Sequence, residues 1–302
     1  MKKFKKNHLF VISATLVLIS FIFLVPLLTA ADQDPAQTAQ KSFEEVQLEN
    51  MREQIKINGW TFEVGISPDV SYADLDRLYS RNPGKITLPA SASQEKVIDT
   101  TNLPRVYDCV STPVVNQGSC NAWPFASNAM FESVILLKDN VTVRLSENWL
   151  LDCNPYGWDC NDGWFAGDIF FRDGAVLASN YTPGVTTCDT AVISYQAEGW
   201  RFCGNGYSVA STTSIKNAIV KYGSVACLVY VDNYFIAYTS GVFNASTTGN
   251  VNHFVTICGW DDARGAWRIK NSWGTGWGEN GYMWITYGCH DIGWAANYLI
   301  YN

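Results

Sequence analysis

The chain has 302 residues, a formal net charge of −7 and a hydrophobic fraction of 47%. A chain of this composition can bury a large core, which excludes a mainly disordered protein. Its length exceeds that of a typical domain, so we expect one large domain together with an additional segment. An acidic protein repels the phosphate backbone, and nucleic-acid binding is therefore excluded as a function class.

The first thirty residues have the pattern of an export signal. Four lysines within the first six residues precede an apolar run from Leu9 to Leu28, and small residues follow up to Ala31. This order predicts a signal peptide over residues 1–31, cleaved near Ala30 or Ala31. An uncleaved anchor is the alternative, because a run of about 20 apolar residues can span a bilayer. We expect a secreted or otherwise extracytoplasmic protein with no membrane attachment after cleavage.

Residues 32–100 contain no cysteine and differ in character from the rest. Apolar residues at helical spacing predict a helix from Ser42 to Ile57, followed by a short strand within Gly59–Gly65 and a second helix around Tyr72–Tyr79. From Asn82 onward the composition is that of a linker. We place a domain boundary near residue 100 and predict a removable pro-segment with its linker over 32–100. A small permanent subdomain is the alternative.

Residues 101–302 form the main domain, and their character changes halfway. A helix is predicted from Trp123 to Lys138, with Pro124 tolerated because it lies in the first turn. Alternating and β-branched residues predict strands from residue 225 onward, namely Val225–Val231, His253–Cys258, Trp267–Lys270, Gly281–Tyr287 and Asn297–Tyr301. A helical first half and a sheet-rich second half predict two lobes with a cleft between them.

Three stretches of the main domain carry candidate chemistry: residues 113–120 (PVVNQGSC), Asn252-His253, and residues 271–282 (NSWGTGWGENGY). Of the three histidines, His8 lies in the signal and His290 in a polar turn, whereas His253 lies at the start of an apolar strand. In this order the stretches resemble the papain-like cysteine peptidases, and the likeness extends over residues 104–302. Residues 271–282 match the motif of that family without a break.

The resemblance implies an α+β fold with a helical N-terminal lobe and an antiparallel, β-barrel-like C-terminal lobe. It implies that His253 transfers the proton, that Asn271 holds its tautomer, and that Gln117 donates to the oxyanion. Gly163 would offer backbone hydrogen bonds to an extended peptide, and Trp273 would shield the His253–Asn271 contact on the substrate-binding side. The expected ligand is a peptide or protein, with no cofactor and no metal, and the protein is expected to be a monomer.

The nucleophile of such an enzyme is missing from the sequence. The family has a reactive cysteine directly before the first tryptophan of the helix. Trp123, Phe125 and Glu132 align with that helix if this chain lacks one residue of the family motif. In this alignment Ala122 stands where the family has the reactive cysteine. Alanine has no group that can attack a carbonyl. We therefore expect weak or no peptidase activity, and binding of peptides or a partner through the cleft.

Two alternatives remain open at this point. An active secreted endopeptidase would need Cys120 as its nucleophile, although a cysteine in a disulfide cannot attack. A structural or adhesion module is suggested by the tryptophans, since eleven of the 12 lie after residue 100. Two further departures from the family pattern point to an altered site: Asp162 replaces a second glycine, and Phe254 replaces a small residue directly after the histidine.

All nine cysteines lie beyond residue 108, and this usage in an exported chain predicts disulfides with at least one free thiol. The resemblance implies the bridges Cys120–Cys160 and Cys153–Cys188. Cys227 and Cys258 lie in apolar strands and are predicted to be buried thiols. Whether Cys109, Cys203 and Cys289 form a further bridge stays open.

Overall fold

The computed structural model describes residues 35–70, 102–108, 111–120 and 122–302. Residues 42–302 form one compact unit. The predicted signal peptide, the predicted helix around Tyr72–Tyr79 and Cys109 lie outside the described residues. Within the described part of the chain, no helix is long and apolar enough to cross a bilayer.

The helices include the long one that was predicted at the start of the main domain. They are α1 (Pro35–Asn58), α2 (Trp123–Asp139), α3 (Glu147–Cys153), α4 (Gly167–Arg172), α5 (Thr212–Tyr222) and α6 (Asn233–Ala237). Pro124 lies in the first turn of α2, where a missing N–H leaves no hydrogen bond unmade. Asn140 ends α2 in the left-handed conformation, with a φ of 55°, and its N–H bonds the Leu136 carbonyl.

Nine of the eleven strands form a single sheet. The strands are β1 (Thr61–Val64), β2 (Val106–Asp108), β3 (Ala175–Val176), β4 (Ile193–Tyr195), β5 (Gly199–Phe202), β6 (Val225–Val229), β7 (Tyr238–Phe243), β8 (His253–Asp261), β9 (Ala266–Lys270), β10 (Tyr282–Thr286) and β11 (Trp294–Ile300). The sheet order is β1-β7-β10-β9-β8-β6-β11-β5, with β2 paired to β8. All its pairs are antiparallel except β7–β10.

The expected α+β fold with two lobes is confirmed, whereas the sheet of the C-terminal lobe is not a closed barrel. One apolar core gathers α2, α3 and α4, and a second lies beneath β6 to β10. The sheet runs as an open series that ends at β1 and β5. β1, from the N-terminal segment, pairs with β7 and covers the edge that β7 would otherwise expose.

The predicted strands agree with the structure to within a few residues, but several elements of the main domain were missed. Strand β8 is three residues longer than predicted, and β11 begins at Trp294 rather than Asn297. Helices α3 to α6, strands β2 to β5 and strand β7 were not predicted. Most of these elements are short, and their hydrophobic periodicity is too brief to distinguish them from loops. Helix α5 is the exception, because it has 11 residues and its buried Ile215 and Ile219 lie at helical spacing.

The N-terminal segment packs onto the same core as the C-terminal lobe. Leu48 and Met51 of α1 are buried with Phe62 of β1, whose ring centroid lies 4.5 Å from that of Phe243 on β7. A side chain at Gly241 would place its Cβ 2.5 Å from the Thr61 carbonyl oxygen, so β1 can approach β7 only because this residue is glycine.

The structure contains the two disulfides that the resemblance implies, Cys120–Cys160 and Cys153–Cys188. The predicted thiols are confirmed, because Cys227 and Cys258 are free and buried. Burial raises the pKa of Cys227 to about 12 and also raises that of Cys203. Cys203 and Cys289 are both free, so the bridge left open between them is not formed.

Candidate active site

Ala122 occupies the N-cap of α2, the place where a helix dipole would favour a thiolate. Its φ and ψ are −74° and −11°, and its carbonyl accepts the first helical hydrogen bond, from the Ala126 N–H, at 2.9 Å. Thr256 of β8 donates to the Ala126 carbonyl at 3.4 Å. The first turn of α2 therefore borders the strand that begins with His253. The position suits a nucleophile, but the side chain is a methyl group.

His253 and Asn271 form the hydrogen-bonded pair that the sequence predicts. His253 is the first residue of β8, and its Nε2–H donates to Asn271 Oδ1 at 2.9 Å. Asn271 directly follows β9, and its own N–H bonds the Gly281 carbonyl at 3.0 Å. The amide oxygen also accepts the Ser272 N–H at 2.8 Å. These bonds fix the orientation of the asparagine, which in turn selects the tautomer of the imidazole.

Trp273 lies against this pair. Its ring centroid is 4.7 Å from that of His253, and Trp277 packs at right angles to it at 5.1 Å. Trp273 is only 1% exposed. The tryptophan thus excludes water from the His253–Asn271 bond, which strengthens that bond in the low local dielectric. Its expected place on the substrate-binding side stays a prediction.

Gln117 is held by the residue that follows Asn271. Its backbone N–H donates to the Ser272 carbonyl at 2.8 Å, and its Oε1 accepts the Ser272 hydroxyl at 2.5 Å. Its Nε2 donates to the Cys120 carbonyl at 2.6 Å. In this arrangement one of the two amide protons of Gln117 is already directed to the backbone of its own loop. Ser272 was not singled out in the sequence, where it appeared only as a letter of the 271–282 motif.

Gly163 lies under the indole of Trp123 rather than beside open space. A Cβ at this position would be 2.4 Å from Trp123 Nε1. That indole nitrogen donates to the Asp159 carbonyl at 2.9 Å, and the Cys120–Cys160 bridge ties the same loop to the residues before α2. Packing alone therefore requires glycine here. The expected backbone contact with a peptide is a separate matter and stays a prediction.

A buried polar network that the sequence analysis missed joins α2 to β9. Glu132 accepts the Thr112 hydroxyl at 2.7 Å and the Leu145 N–H at 2.8 Å. Lys270, the residue before Asn271, donates to the same threonine at 2.9 Å. Burial raises the pKa of Glu132, and the Leu145, Thr112 and Lys270 contacts oppose that rise. The sequence offered one indication of this network, because Glu132 is an acidic residue within an otherwise largely apolar part of α2.

The two departures from the family pattern have different surroundings. Phe254 packs into the core of the helical lobe, to which Ala122 also belongs, with its ring centroid 5.0 Å from that of Phe165. It therefore repacks that core. Asp162 is exposed next to Gly163. Neighbouring Asp159 accepts the Asn161 N–H at 2.6 Å, and this bond lowers the pKa of the Asp159 carboxyl although partial burial opposes it.

The structure thus brings Gln117, Ala122, His253 and Asn271 to adjoining elements, and all four are buried, none being more than 5% exposed. His290 is different, because it lies outside this group in a short 3-10 turn, Cys289–Asp291, and is buried rather than at a polar surface. Among the described residues no cluster of three or more potential metal ligands occurs.

Comparison with known proteins agrees with this arrangement. The sequence model described as papain family cysteine protease matches residues 98–301. The chain belongs to the papain family.

Individual papain-family relatives match over different lengths. The gamete and mating-type specific protein A of Dictyostelium discoideum is 36% identical over 184 residues, which cover 58% of this chain but only 40% of that protein. A cysteine protease of Blomia tropicalis is 28% identical, over 84% of this chain and 83% of the relative. The solved recombinant stem bromelain precursor is 26% identical with a TM-score of 0.72, and covers 89% of this chain and 93% of its own.

Proposed function

We propose that this papain-family homologue binds an extended peptide or a protein partner in its cleft and has little or no peptidase activity. The observation that carries the proposal is Ala122 at the N-cap of α2, directly before Trp123. Removing a covalent nucleophile typically costs a factor of about 10⁴–10⁶ in rate, even where the oxyanion donors and the cleft persist. His253 alone cannot replace the lost thiolate, because water is a weaker and less well placed nucleophile.

The disulfide supports this function over an active enzyme that uses Cys120. Attack on a carbonyl requires a thiolate, and the sulfur of Cys120 is bonded to that of Cys160. Freeing it would release the loop that carries Asp159 and Gly163 from the start of α2. The tryptophans do not support a structural or adhesion module, because Trp123, Trp273 and Trp277 are core residues with at most 1% exposure.

We further propose that the protein is secreted and is made in a zymogen-like form, with residues 32–100 as a removable segment. Gly276 N–H donates to Asp69 Oδ2 at 2.6 Å, and Gly65 N–H to the Ala237 carbonyl at 2.9 Å. These contacts join the N-terminal segment to the 271–282 motif and to α6. The likeness to a bromelain precursor over 89% of the chain supports the same interpretation. The two disulfides fit an oxidising compartment.

Because Asp69 of the N-terminal segment bonds Gly276 within the 271–282 motif, we expect peptide binding only from the processed protein. The test is to incubate processed protein with a thiol-directed epoxide peptidase probe, and separately with a library of extended peptides, and to analyse both by mass spectrometry. We expect no covalent adduct, retention of a subset of peptides, and no cleavage products. An adduct on a cysteine near the cleft, or cleaved peptides, would refute the loss of activity.

The same samples test the two parts of the proposal separately. Disulfide mapping of the intact protein should recover a Cys120–Cys160 peptide, and a free Cys120 would favour the active enzyme instead. Absence of any retained peptide would refute the binding role while leaving the family and the missing nucleophile untouched. An active papain-type enzyme serves as the positive control for the probe.

A further inference from the structure

A small cavity between α2 and the strands β8 and β9 borders the candidate active site at Asn271. Its apolar wall comes mainly from α2 and β8, which contribute Ala126, Ala129 and Phe254. Its polar wall consists of Glu132, Arg144, Glu147, Lys270, Asn271 and Ser272. The function proposed above gives this cavity no role.

The side-chain amide of Asn271 is bonded at its oxygen but not at its nitrogen. Its Oδ1 accepts the His253 Nε2–H at 2.9 Å and the Ser272 N–H at 2.8 Å. These two donors fix the orientation of the amide, because a flipped amide would direct its own N–H groups at them. Asn271 is only 2% exposed, and its Nδ2 has no hydrogen-bond partner among the described residues. A buried N–H group without an acceptor is strongly unfavourable, so this nitrogen needs an acceptor that the cavity can hold.

The charged groups of the wall balance one another, which favours an uncharged ligand. With both acids ionised, the negative charges of Glu132 and Glu147 equal the positive charges of Arg144 and Lys270. Arg144 Nη2 donates to Glu147 Oε2 at 2.7 Å, and Arg144 Nη1 lies 3.4 Å from Glu132 Oε1. Each acid therefore already has a counter-charge. A carboxylate oxygen can accept more than one hydrogen bond, so both acids still offer acceptor positions to a ligand in the cavity.

The size of the cavity suits a single water molecule. The centre of a water molecule can lie anywhere within about 20 Å³ of this space. One ordered water needs roughly 10–15 Å³ by this measure, so the cavity has room for one water and for no larger molecule. Cavities that stay empty in proteins are apolar, whereas buried waters bind polar groups that would otherwise be unsatisfied. A cavity with an unpaired amide and two carboxylates in its wall belongs to the second kind.

We propose that this cavity binds one ordered water, which accepts from Asn271 Nδ2–H and donates to a carboxylate oxygen of Glu132 or Glu147. Such a water joins the buried network of α2 and β9 to the His253–Asn271 pair. The amide of Asn271 is then held at both ends, by His253 and Ser272 at its oxygen and by the water at its nitrogen. The two acids are positioning residues, since they act on Asn271 through the water. The inference does not depend on whether the cleft cleaves or only binds peptides.

The direct test is a crystal structure of the unprocessed protein at atomic resolution, together with NMR of the same protein. We expect one water in the cavity, about 2.7–3.2 Å from Asn271 Nδ2 and equally close to a carboxylate oxygen of Glu132 or Glu147. We also expect a nuclear Overhauser effect between the Asn271 side-chain amide protons and a long-lived water, which a bound metal ion would not give. An empty cavity, an ion, or a water without contact to Asn271 would overturn the proposal.

A matched pair of variants tests whether this Overhauser effect comes from the cavity. Ala129→Leu adds a branched side chain to the cavity wall and should expel the water, so the effect at Asn271 should disappear. Lys138→Leu adds the same side chain at an exposed position near the end of α2 and should leave the effect unchanged. Persistence of the effect in Ala129→Leu, or its loss in Lys138→Leu, would contradict a water held in this cavity.

The positioning role has a separate readout in the same two variants. The His253 Nε2–H proton is held by Asn271 Oδ1, so its exchange with solvent reports how firmly Asn271 is placed. In Ala129→Leu we expect this proton to exchange about 10-fold faster, since the loss of one hydrogen bond at Asn271 weakens its placement by a comparable factor. Lys138→Leu should leave the exchange rate unchanged. An expelled water with unchanged exchange would show that the water fills the cavity without positioning Asn271, and would refute this role.

Discussion

The candidate active site has two halves that differ in what they retain. The histidine half, His253, Asn271 and Trp273, has the complete hydrogen bond, its supporting asparagine contacts and its shielding tryptophan. The helix half, Cys120, Ala122 and Gly163, keeps its disulfide and its tryptophan packing and has alanine at the N-cap of α2. The helix half therefore has the two features that hold its loop to α2, namely the disulfide and the packing of Gly163 against Trp123.

This difference shows which site residues also serve the fold. Trp273 packs against His253 and Trp277, so replacing it would open the core of the C-terminal lobe. The residue at position 122 contributes to α2 through its backbone carbonyl, which accepts from the Ala126 N–H whatever the side chain is. A thiol there can be lost with little effect on stability, because alanine is also a good helix former.

The largest expected effect comes from restoring the helix half. Inserting Ser after Asn121 together with Ala122→Cys returns the spacing and the thiol of the family to the start of α2. If the histidine half is intact, the rate of peptide hydrolysis should rise by a factor of about 10⁴–10⁶ above that of the unmodified protein. Hydrolysis of a fluorogenic peptide by the processed protein measures this gain.

The control for this experiment is the same variant with His253→Ala, which should lose the gain because the thiol then has no base. If the restored thiol reacts with the epoxide probe but no hydrolysis follows, the fault lies with Gln117, whose amide already donates to Cys120. No reaction with the probe would mean that the histidine half is not competent either.

A second prediction concerns the network that joins the two halves. Glu132→Ala removes the buried carboxylate that accepts from the Thr112 hydroxyl and the Leu145 N–H and whose charge acts on Lys270. Removing one partner of such a buried charged network typically costs about 3–5 kcal/mol in the free energy of unfolding. Chemical denaturation measures the loss. Lys138→Ala, at an exposed position of the same helix, should change stability by no more than about 0.5 kcal/mol. Equal effects for the two variants would contradict a role for the network.

The sequence predicted the histidine half well because its residues lie in two short stretches with recognisable patterns. Residues 271–282 carry Asn271 and Trp273 together, and His253 marks the start of an apolar strand, so local pattern and family motif agree. The long helix α2 was predicted to within a residue, since its apolar spacing extends over several turns. The register of Trp123 predicts Ala122 at the nucleophile position, and this stays a prediction.

The sequence could not predict features that depend on distant partners. The pairing of Glu132 with Thr112 and Lys270 joins residues up to 158 positions apart, and no local pattern encodes that contact. His290 was taken for a residue of a polar turn because its neighbours are polar, yet Tyr230 and Thr247 bury it from other segments. The expected contact of Gly163 with a peptide stays a prediction, and its packing against Trp123 could not be predicted from the sequence.

A third prediction asks how tightly the loop of the helix half is packed. Gly163→Ala would place a Cβ 2.4 Å from Trp123 Nε1, and forcing such a methyl into a packed core costs about 1–3 kcal/mol. In Gly199→Ala the nearest atom would be at 3.5 Å, an ordinary contact, so this control should lose less. Urea denaturation of both variants decides the matter. Equal losses would mean that the loop moves freely away from the indole.

The smallest expected effect is the pH dependence of the same loop. The Asn161 N–H holds the pKa of Asp159 below its usual value, so the folded state favours the ionised carboxylate. Stability from this bond is present above the ordinary carboxyl pKa of about 3.9 and is lost as the pH falls through the lower pKa of the folded state. Because Asp159 is exposed and solvent screens its charge, Asp159→Ala should destabilise the protein only slightly at pH 7 and less as the pH falls, as measured by denaturation at each pH. Asp159→Asn, which keeps an acceptor oxygen, should remove the pH dependence while retaining part of the stability. A cost of the alanine variant that is the same at every pH would mean that the charge of Asp159 does not hold the loop.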